Sequence, residues 1–138
     1  MTALHRYTCR VSFGDCDPAA IAYYPNIFKW VDTTCHDWMR RFGGHAALCR
    51  QLGAVGIGLM DAGAKFRSPL RDGDDLTVEI TGLDWGAKAL RLQYRGMVGA
   101  RVAFDATETR GLFKPAENGL TAGAMDALRA LVGSDVRG

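Results

Sequence analysis

The sequence predicts an α+β fold in which an antiparallel sheet of about five strands curls round one long central helix. Three observations carry that expectation. The elements read strand, long helix, then four consecutive strands, and the lack of β-α-β alternation disfavours a doubly wound parallel sheet. The stretch Pro25 to Phe42 places Ile27, Trp30, Val31, Trp38, Met39 and Phe42 on one face at helical spacing. Two tryptophans on that face need a large surface to cover them. Finally, 138 residues are the size of one ordinary domain, 1–138, able to bury roughly 68–70% of its unfolded surface without staples.

Taken in order, Tyr7 to Phe13 alternates as a strand, with Tyr7, Cys9, Val11 and Phe13 on one face. Gly14-Asp15-Cys16-Asp17-Pro18 breaks it. Pro25 suits the first turn of the long helix, Arg40 and Arg41 complement its negative end, and Gly43-Gly44 stops it. A short helix is expected over Ala46 to Leu52. Strands follow near 56–67, 75–83, 88–98 and 101–113. The breaks are Ser68-Pro69, Asp72-Gly73-Asp74, Trp85-Gly86 and Val98-Gly99, the last suited to a tight hairpin. The glycine-rich run Gly53 to Gly58 lacks the G-x-G-x-x-G pattern and suits close backbone approach instead. Met125, Leu128 and Leu131 predict a short final helix within Thr121 to Leu131.

Composition excludes several classes. The chain has 17 Lys+Arg against 15 Asp+Glu, a net charge of +2, too small for an electrostatic nucleic-acid binder. With 48% hydrophobic and 23% charged residues, disorder is not expected. The longest uncharged run, Pro18 to Phe28, falls short of the ~20 residues that span a bilayer. The N-terminal residues lack the basic-then-apolar layout of a signal peptide, so a cytoplasmic location is expected. Cys9, Cys16, Cys35 and Cys49 form no C-x-x-C pair and read as small buried hydrophobes. His5, His36 and His45 lack zinc-ligand spacing. Ser12, Ser68 and Ser134 lie outside any G-x-S-x-G, which argues against a serine hydrolase.

The densest chemistry lies in Phe13 to Asn26. Asp17 stands in a loop that leads into a helix N-terminus, where free N–H groups can hold an oxyanion. A carboxylate beside such a donor suits acyl transfer: Asp17 attacks a carbonyl directly or acts as a base on water. The donor is the backbone N–H near Tyr24, because Pro25 has none. The alternative is an ordinary turn or cap aspartate. Asp15 reads as the residue that fixes the turn. Asp32, inside the helix, either pairs with Lys29 or His36 on the surface or accepts a hydrogen bond from a substrate hydroxyl. Lys88, Arg91, Arg95, Arg67 and Arg71 either meet phosphates or are simply solvated. Cys16 has no histidine near it in sequence and is not read as a nucleophile.

The string Phe13-Gly14-Asp15-Cys16-Asp17-Pro18-Ala19, with Ile21, Tyr24-Pro25-Asn26 and Trp30-Val31-Asp32, resembles the 4-hydroxybenzoyl-CoA thioesterase family of hotdog-fold acyl-CoA thioesterases. Weaker likeness runs through Pro69, Gly73-Asp74, Trp85 and Lys88, up to about residue 115. The resemblance implies a hotdog fold and hydrolysis of an aromatic acyl-CoA, 4-hydroxybenzoyl-CoA or benzoyl-CoA. It implies Asp17 as the catalytic carboxylate, the Tyr24 backbone N–H as the group that polarises the thioester, and Asp32 near a para-hydroxyl. Basic residues around Lys88 would meet the coenzyme A phosphates. Of the family's consecutive basic residues after the tryptophan only Lys88 is kept, and Arg91 is the substitute read here. Ala20 stands where the family often has glycine.

The expected partner is therefore a small-molecule acyl-CoA, not nucleic acid or membrane. No metal or cofactor is expected, coenzyme A being part of the substrate. The site is expected across the interface of a homo-oligomer, a dimer or dimer of dimers. The alternatives are a thioesterase for short-chain or aliphatic acyl-CoA, and a non-catalytic hotdog that binds acyl-CoA or an acyl carrier.

Overall fold

A computed structural model describes residues 3–133. Its elements are β1 (His5–Arg10), α1 (Pro25–Met39), α2 (His45–Leu52), β2 (Gly56–Phe66), β3 (Asp75–Trp85), β4 (Leu90–Val98), β5 (Arg101–Ala116), β6 (Gly119–Gly123) and α3 (Asp126–Val132). Short 3-10 turns at Phe13–Asp15 and Arg40–Phe42 flank α1.

Helix α1 forms where its apolar periodicity predicts it and buries Ile27, Trp30, Val31, Cys35, Trp38 and Met39. Gly43 and Gly44 end it with φ of +100° and +96°, a left-handed backbone that glycine adopts without a Cβ clash. All strand pairs are antiparallel, in the order β1-β3-β4-β5-β2, with β6 added to β5. Alternation sends Leu76, Val78 and Ile80 of β3, with Leu90, Leu92 and Tyr94 of β4, into one core with the helix face. This is the hotdog arrangement of a sheet wrapped round a helix.

Three expectations change. The sheet has six strands rather than about five, because 119–123 pairs with the end of β5, whereas the sequence predicts helical periodicity from Thr121. Helix α3 starts only at Asp126, and Val132 rather than Leu131 points inward. Strand β1 stops at Arg10 and Phe13 is 83% exposed. The Ser12 N–H and hydroxyl both bond the Asp15 carboxylate and wind Phe13–Asp15 into a 3-10 turn. That turn removes Phe13 from the strand's period of two.

Strand β2 lies at one end of the strand order, with Leu59 and Met60 about half exposed. A bulge between Leu59 and Asp61 interrupts its pairing with β5. Gly58 is required there, since a Cβ would lie 2.6 Å from the Phe113 ring. No helix among the described residues is long and apolar enough to cross a membrane.

Candidate active site

The segment 13–26 is folded by its own polar groups. Pro18, Ala19 and Ala20 form a tight turn: the Ala20 N–H bonds the Asp17 carbonyl at 2.8 Å, and the Asp17 N–H bonds the Ile21 carbonyl at 2.9 Å. Asp17 Oδ1 accepts the Ala19 N–H at 2.8 Å, the local bond that makes Asp common in turns. Oδ2 of Asp17 has no hydrogen bond among the described residues. The turn demands a left-handed residue, and Ala20 adopts φ +66°, alone among the described non-glycine residues. The loop therefore keeps a glycine-like shape with an alanine, at a cost of about 1–2 kcal/mol.

Asp15 holds this loop to the helix. Its carboxylate takes the two Ser12 bonds, while its carbonyl accepts the Tyr23 N–H and the Asn26 side-chain amide, both at 2.8 Å. Tyr24 is the N-cap of α1, and no residue caps that end with a side chain. Asn26 and Ile27 donate back to the Tyr23 and Tyr24 carbonyls. The Tyr24 N–H makes no hydrogen bond among the described residues, and Pro25 has no N–H to give. A single unengaged donor thus stands at the positive end of the helix dipole. Asp17 and Tyr24 line one open cleft of about 550 Å³, together with Ile21, Ile27, Phe66 and Leu70. The Ala22 N–H, bonded to the Leu70 carbonyl at 2.7 Å, ties the loop to that far wall. Arg67 and Arg71 also line it.

The other expected residues lie elsewhere. Lys88 is exposed in the turn between β3 and β4, not in a strand. Arg91, on β4, lines a second cleft of about 560 Å³ with Lys65, Arg67 and Asp105. Arg67 borders both clefts. It and Arg95 bond the Asp105 carboxylate at 3.0 and 2.9 Å. Burial works to raise the pKa of that carboxyl, but these bonds outweigh it and hold it below the usual value.

Asp32 points from the α1 flank toward β2 and β5. Its Oδ1 accepts a bond of 2.7 Å from Arg110 Nη2 and lies 3.6 Å from His36 Nε2. The pairing with His36 was expected; the one with Arg110 was not. Arg110 and Glu108 are 3% and 2% exposed. Both Glu108 oxygens accept from the Arg110 guanidinium at 3.0 Å, and Tyr94 Oη donates to Glu108 at 2.6 Å. Burial opposes the Arg110 charge, but the surrounding Glu108 and Asp32 carboxylates outweigh it and raise its pKa. Burial lowers the His36 pKa, against the pull of Asp32, and so favours the neutral ring. A signal for the network existed in sequence: Glu108 and Arg110 share the alternating core face of β5 with Phe104, Ala106 and Leu112.

The four cysteines are free thiols. Burial pushes the Cys35 thiol up to about 12 and raises those of Cys9 and Cys49, which opposes thiolate chemistry at these three positions. His45 Nε2 accepts the Ile57 N–H at 3.0 Å, a structural bond that ties α2 to β2.

Comparison with known proteins adds four findings. A model of the thioesterase-like superfamily matches residues 11–127. A 4-hydroxybenzoyl-CoA thioesterase of Pseudomonas sp. (strain CBS-3) is 30% identical over 82 residues, 58% of this chain and 58% of its own length. A 1,4-dihydroxy-2-naphthoyl-CoA hydrolase of Synechococcus sp. (strain CC9311) is 26% identical over 92 residues, 62% of this chain and 60% of its own. The matched stretch thus spans less than two thirds of either relative. Among solved structures, a gentisyl-coenzyme A thioesterase superposes with a TM-score of 0.76 at 25% identity, covering 90% of this chain and 98% of that one.

Proposed function

The chain belongs to the thioesterase-like superfamily, and we propose that it hydrolyses an aromatic acyl-CoA, 4-hydroxybenzoyl-CoA or benzoyl-CoA, to the free acid and coenzyme A. The observation that carries this reading is that Asp17, with one carboxylate oxygen unengaged, and Tyr24, whose N–H is unengaged, line the same cleft. The names of the relatives, each an aromatic acyl-CoA thioesterase or hydrolase, support the substrate class.

In this mechanism the thioester carbonyl oxygen accepts the Tyr24 N–H, which bears the charge that develops as the carbonyl becomes tetrahedral. Asp17 Oδ2 attacks the carbonyl carbon, the C–S bond breaks, and coenzyme A leaves as a thiolate that takes a proton from solvent. Water then cleaves the mixed anhydride and releases the acid. In the equivalent route Asp17 takes a proton from water, whose oxygen attacks instead. No metal or cofactor takes part, coenzyme A being half of the substrate. Lys88 and Arg91 are assigned to the coenzyme A phosphates. Arg67 supports the assignment of Arg91, since Arg67 borders both clefts and extends a basic track from Arg91 toward Asp17.

Asp32 is assigned to the para-hydroxyl. On one chain it lies roughly 12 Å along α1 from Tyr24, farther than a benzoyl ring carries its hydroxyl from the carbonyl. A second copy of the chain would therefore supply that carboxylate, in a dimer or dimer of dimers. Strand β2 supports this assembly, since a long edge strand with exposed apolar side chains is a template for pairing.

A panel of acyl-CoA esters with free-thiol detection tests the proposal. Thiol release should be fastest with the aromatic esters. A preference for aliphatic esters would replace the substrate assignment, and binding without thiol release would replace the enzyme by a binding module. Asp17→Asn should lower kcat a hundredfold or more; unchanged kcat would overturn the mechanism.

A further inference from the structure

We propose that Arg110, backed by Glu108 and Tyr94, is a positioning residue that fixes the Asp32 carboxylate for recognition of a hydroxyl on the acyl group. The inference rests on the reading of Asp32 given above. Glu108 and Arg110 occupy core-facing places on β5 where aliphatic side chains would pack as well or better, because burying an ion pair costs desolvation that its attraction barely repays. Arg110 gives Nε and Nη2 to the two Glu108 oxygens and Nη1 to the Ile57 carbonyl at 3.3 Å. These bonds give each guanidinium nitrogen a partner inside the core. Yet Nη2 also reaches outward to Asp32 Oδ1, at 2.7 Å the shortest of its bonds.

The bonds thus run from interior to surface: Tyr94 to Glu108, Arg110 to Glu108, Arg110 to Asp32. Two carboxylates share one guanidinium, so one net negative charge is left over. It sits at the surface end, because Asp32 is the member that meets solvent, with its side chain 52% exposed. Oδ2 of Asp32 is without a partner among the described residues. An aspartate free on a helix surface would sample several rotamers. Here the rigid guanidinium fork holds one oxygen and thereby sets the direction of the other, so that a hydroxyl donor binds with little further ordering. His36 does not replace Arg110 in this role, since its nitrogen is 3.6 Å away, beyond a hydrogen bond.

The test compares kcat and KM for 4-hydroxybenzoyl-CoA and benzoyl-CoA in wild type, Asp32→Asn, Arg110→Lys and the double variant. Arg110→Lys keeps the charge but loses the fork. Each single variant should reduce the preference for the hydroxylated ester about tenfold, mainly through a raised KM for 4-hydroxybenzoyl-CoA. The double variant should lose no more than Asp32→Asn alone, as expected for residues that act as one unit. A preference kept in Arg110→Lys but lost in Asp32→Asn overturns the positioning role and leaves the Asp32 reading standing. A preference kept in both overturns the Asp32 reading as well. Should Arg110→Lys not fold, Tyr94→Phe removes only the hydroxyl that steadies Glu108. It should reduce the preference by about twofold to threefold, and an unchanged preference would overturn the proposal.

Discussion

The Asp17 loop and the Arg110 network are both polar clusters beside α1, yet they are built in opposite ways. In the loop nearly every bond is local: Ser12 to Asp15, Ala19 to Asp17, Asn26 to Asp15. Its side chains are half-buried or exposed, and Ala20 is held in a left-handed conformation. The network joins residues 14, 53 and 78 positions apart, and its centre is buried. A cluster made by local bonds can lose one carboxylate and keep its fold. A site made by long-range buried charges cannot lose one member without exposing the others to an unpaired environment.

The sharpest way to break this contrast is Glu108→Ala. It leaves Arg110 buried without its main partner and should destabilise the protein by about 3–5 kcal/mol, measured by urea unfolding. The stability of Asp17→Asn should stay within about 0.5 kcal/mol of wild type, because an amide oxygen still accepts the Ala19 N–H. If both variants are equally stable, the distinction fails.

Next in size is the donor at the helix start. Tyr24 has φ −56°, which proline can adopt, so Tyr24→Pro removes the N–H with little change of backbone. It should lower kcat by about 10²–10³, while Tyr24→Ala, which keeps the N–H, should stay within about threefold. Equal losses in the two variants would move the role from the N–H to the ring.

A smaller effect tests the strain in the loop. Ala20→Gly should raise stability by up to about 1 kcal/mol, relief of the left-handed alanine outweighing the added freedom of the unfolded chain. Thermal unfolding reads this directly.

The smallest effect belongs to the network's rim. Burial lowers the folded pKa of His36 below 6.5; nearby Arg110 and His45 also lower it, while Asp32 and Glu108 oppose. The unfolded chain therefore takes up this proton first as pH falls. The stabilising contribution is present above pH 6.5 and is lost as pH drops through the folded value. His36→Gln should accordingly show a shallower fall of Tm between about pH 7 and 5. Asp105 acts in a separate window, its contribution being present above 3.8 and lost below it.

Much of the Asp17 loop is legible in the amino-acid order because the residues that fold it are adjacent to the carboxylate it presents. Asp15, Asp17, Pro18 and Pro25 specify turn, carboxylate and helix start within a dozen residues. Phe13 misled, since alternation continued past the point where the Ser12–Asp15 bonds ended the strand. The tail misled in the same way: Thr121 fits a helical period, but β5 offered a free edge to 119–123. Helical spacing offers Asp32 two partners, Lys29 and His36, and neither is Arg110. Arg110 lies 78 residues from Asp32 in the chain, and only the closed sheet brings the two within a hydrogen bond.

What the order of residues determined by itself was the helix with its tryptophan face, the four strands that follow it, and the carboxylate placed before the helix start, all of which depend on neighbours in the chain. Tertiary structure alone decided that Glu108 and Arg110 pair with Tyr94 in the core, that Arg110 meets Asp32 from 78 residues away, and that Arg67 borders two clefts. Those outcomes follow from strand register and sheet curvature, which bring distant residues within a hydrogen bond only once the sheet has closed on the helix.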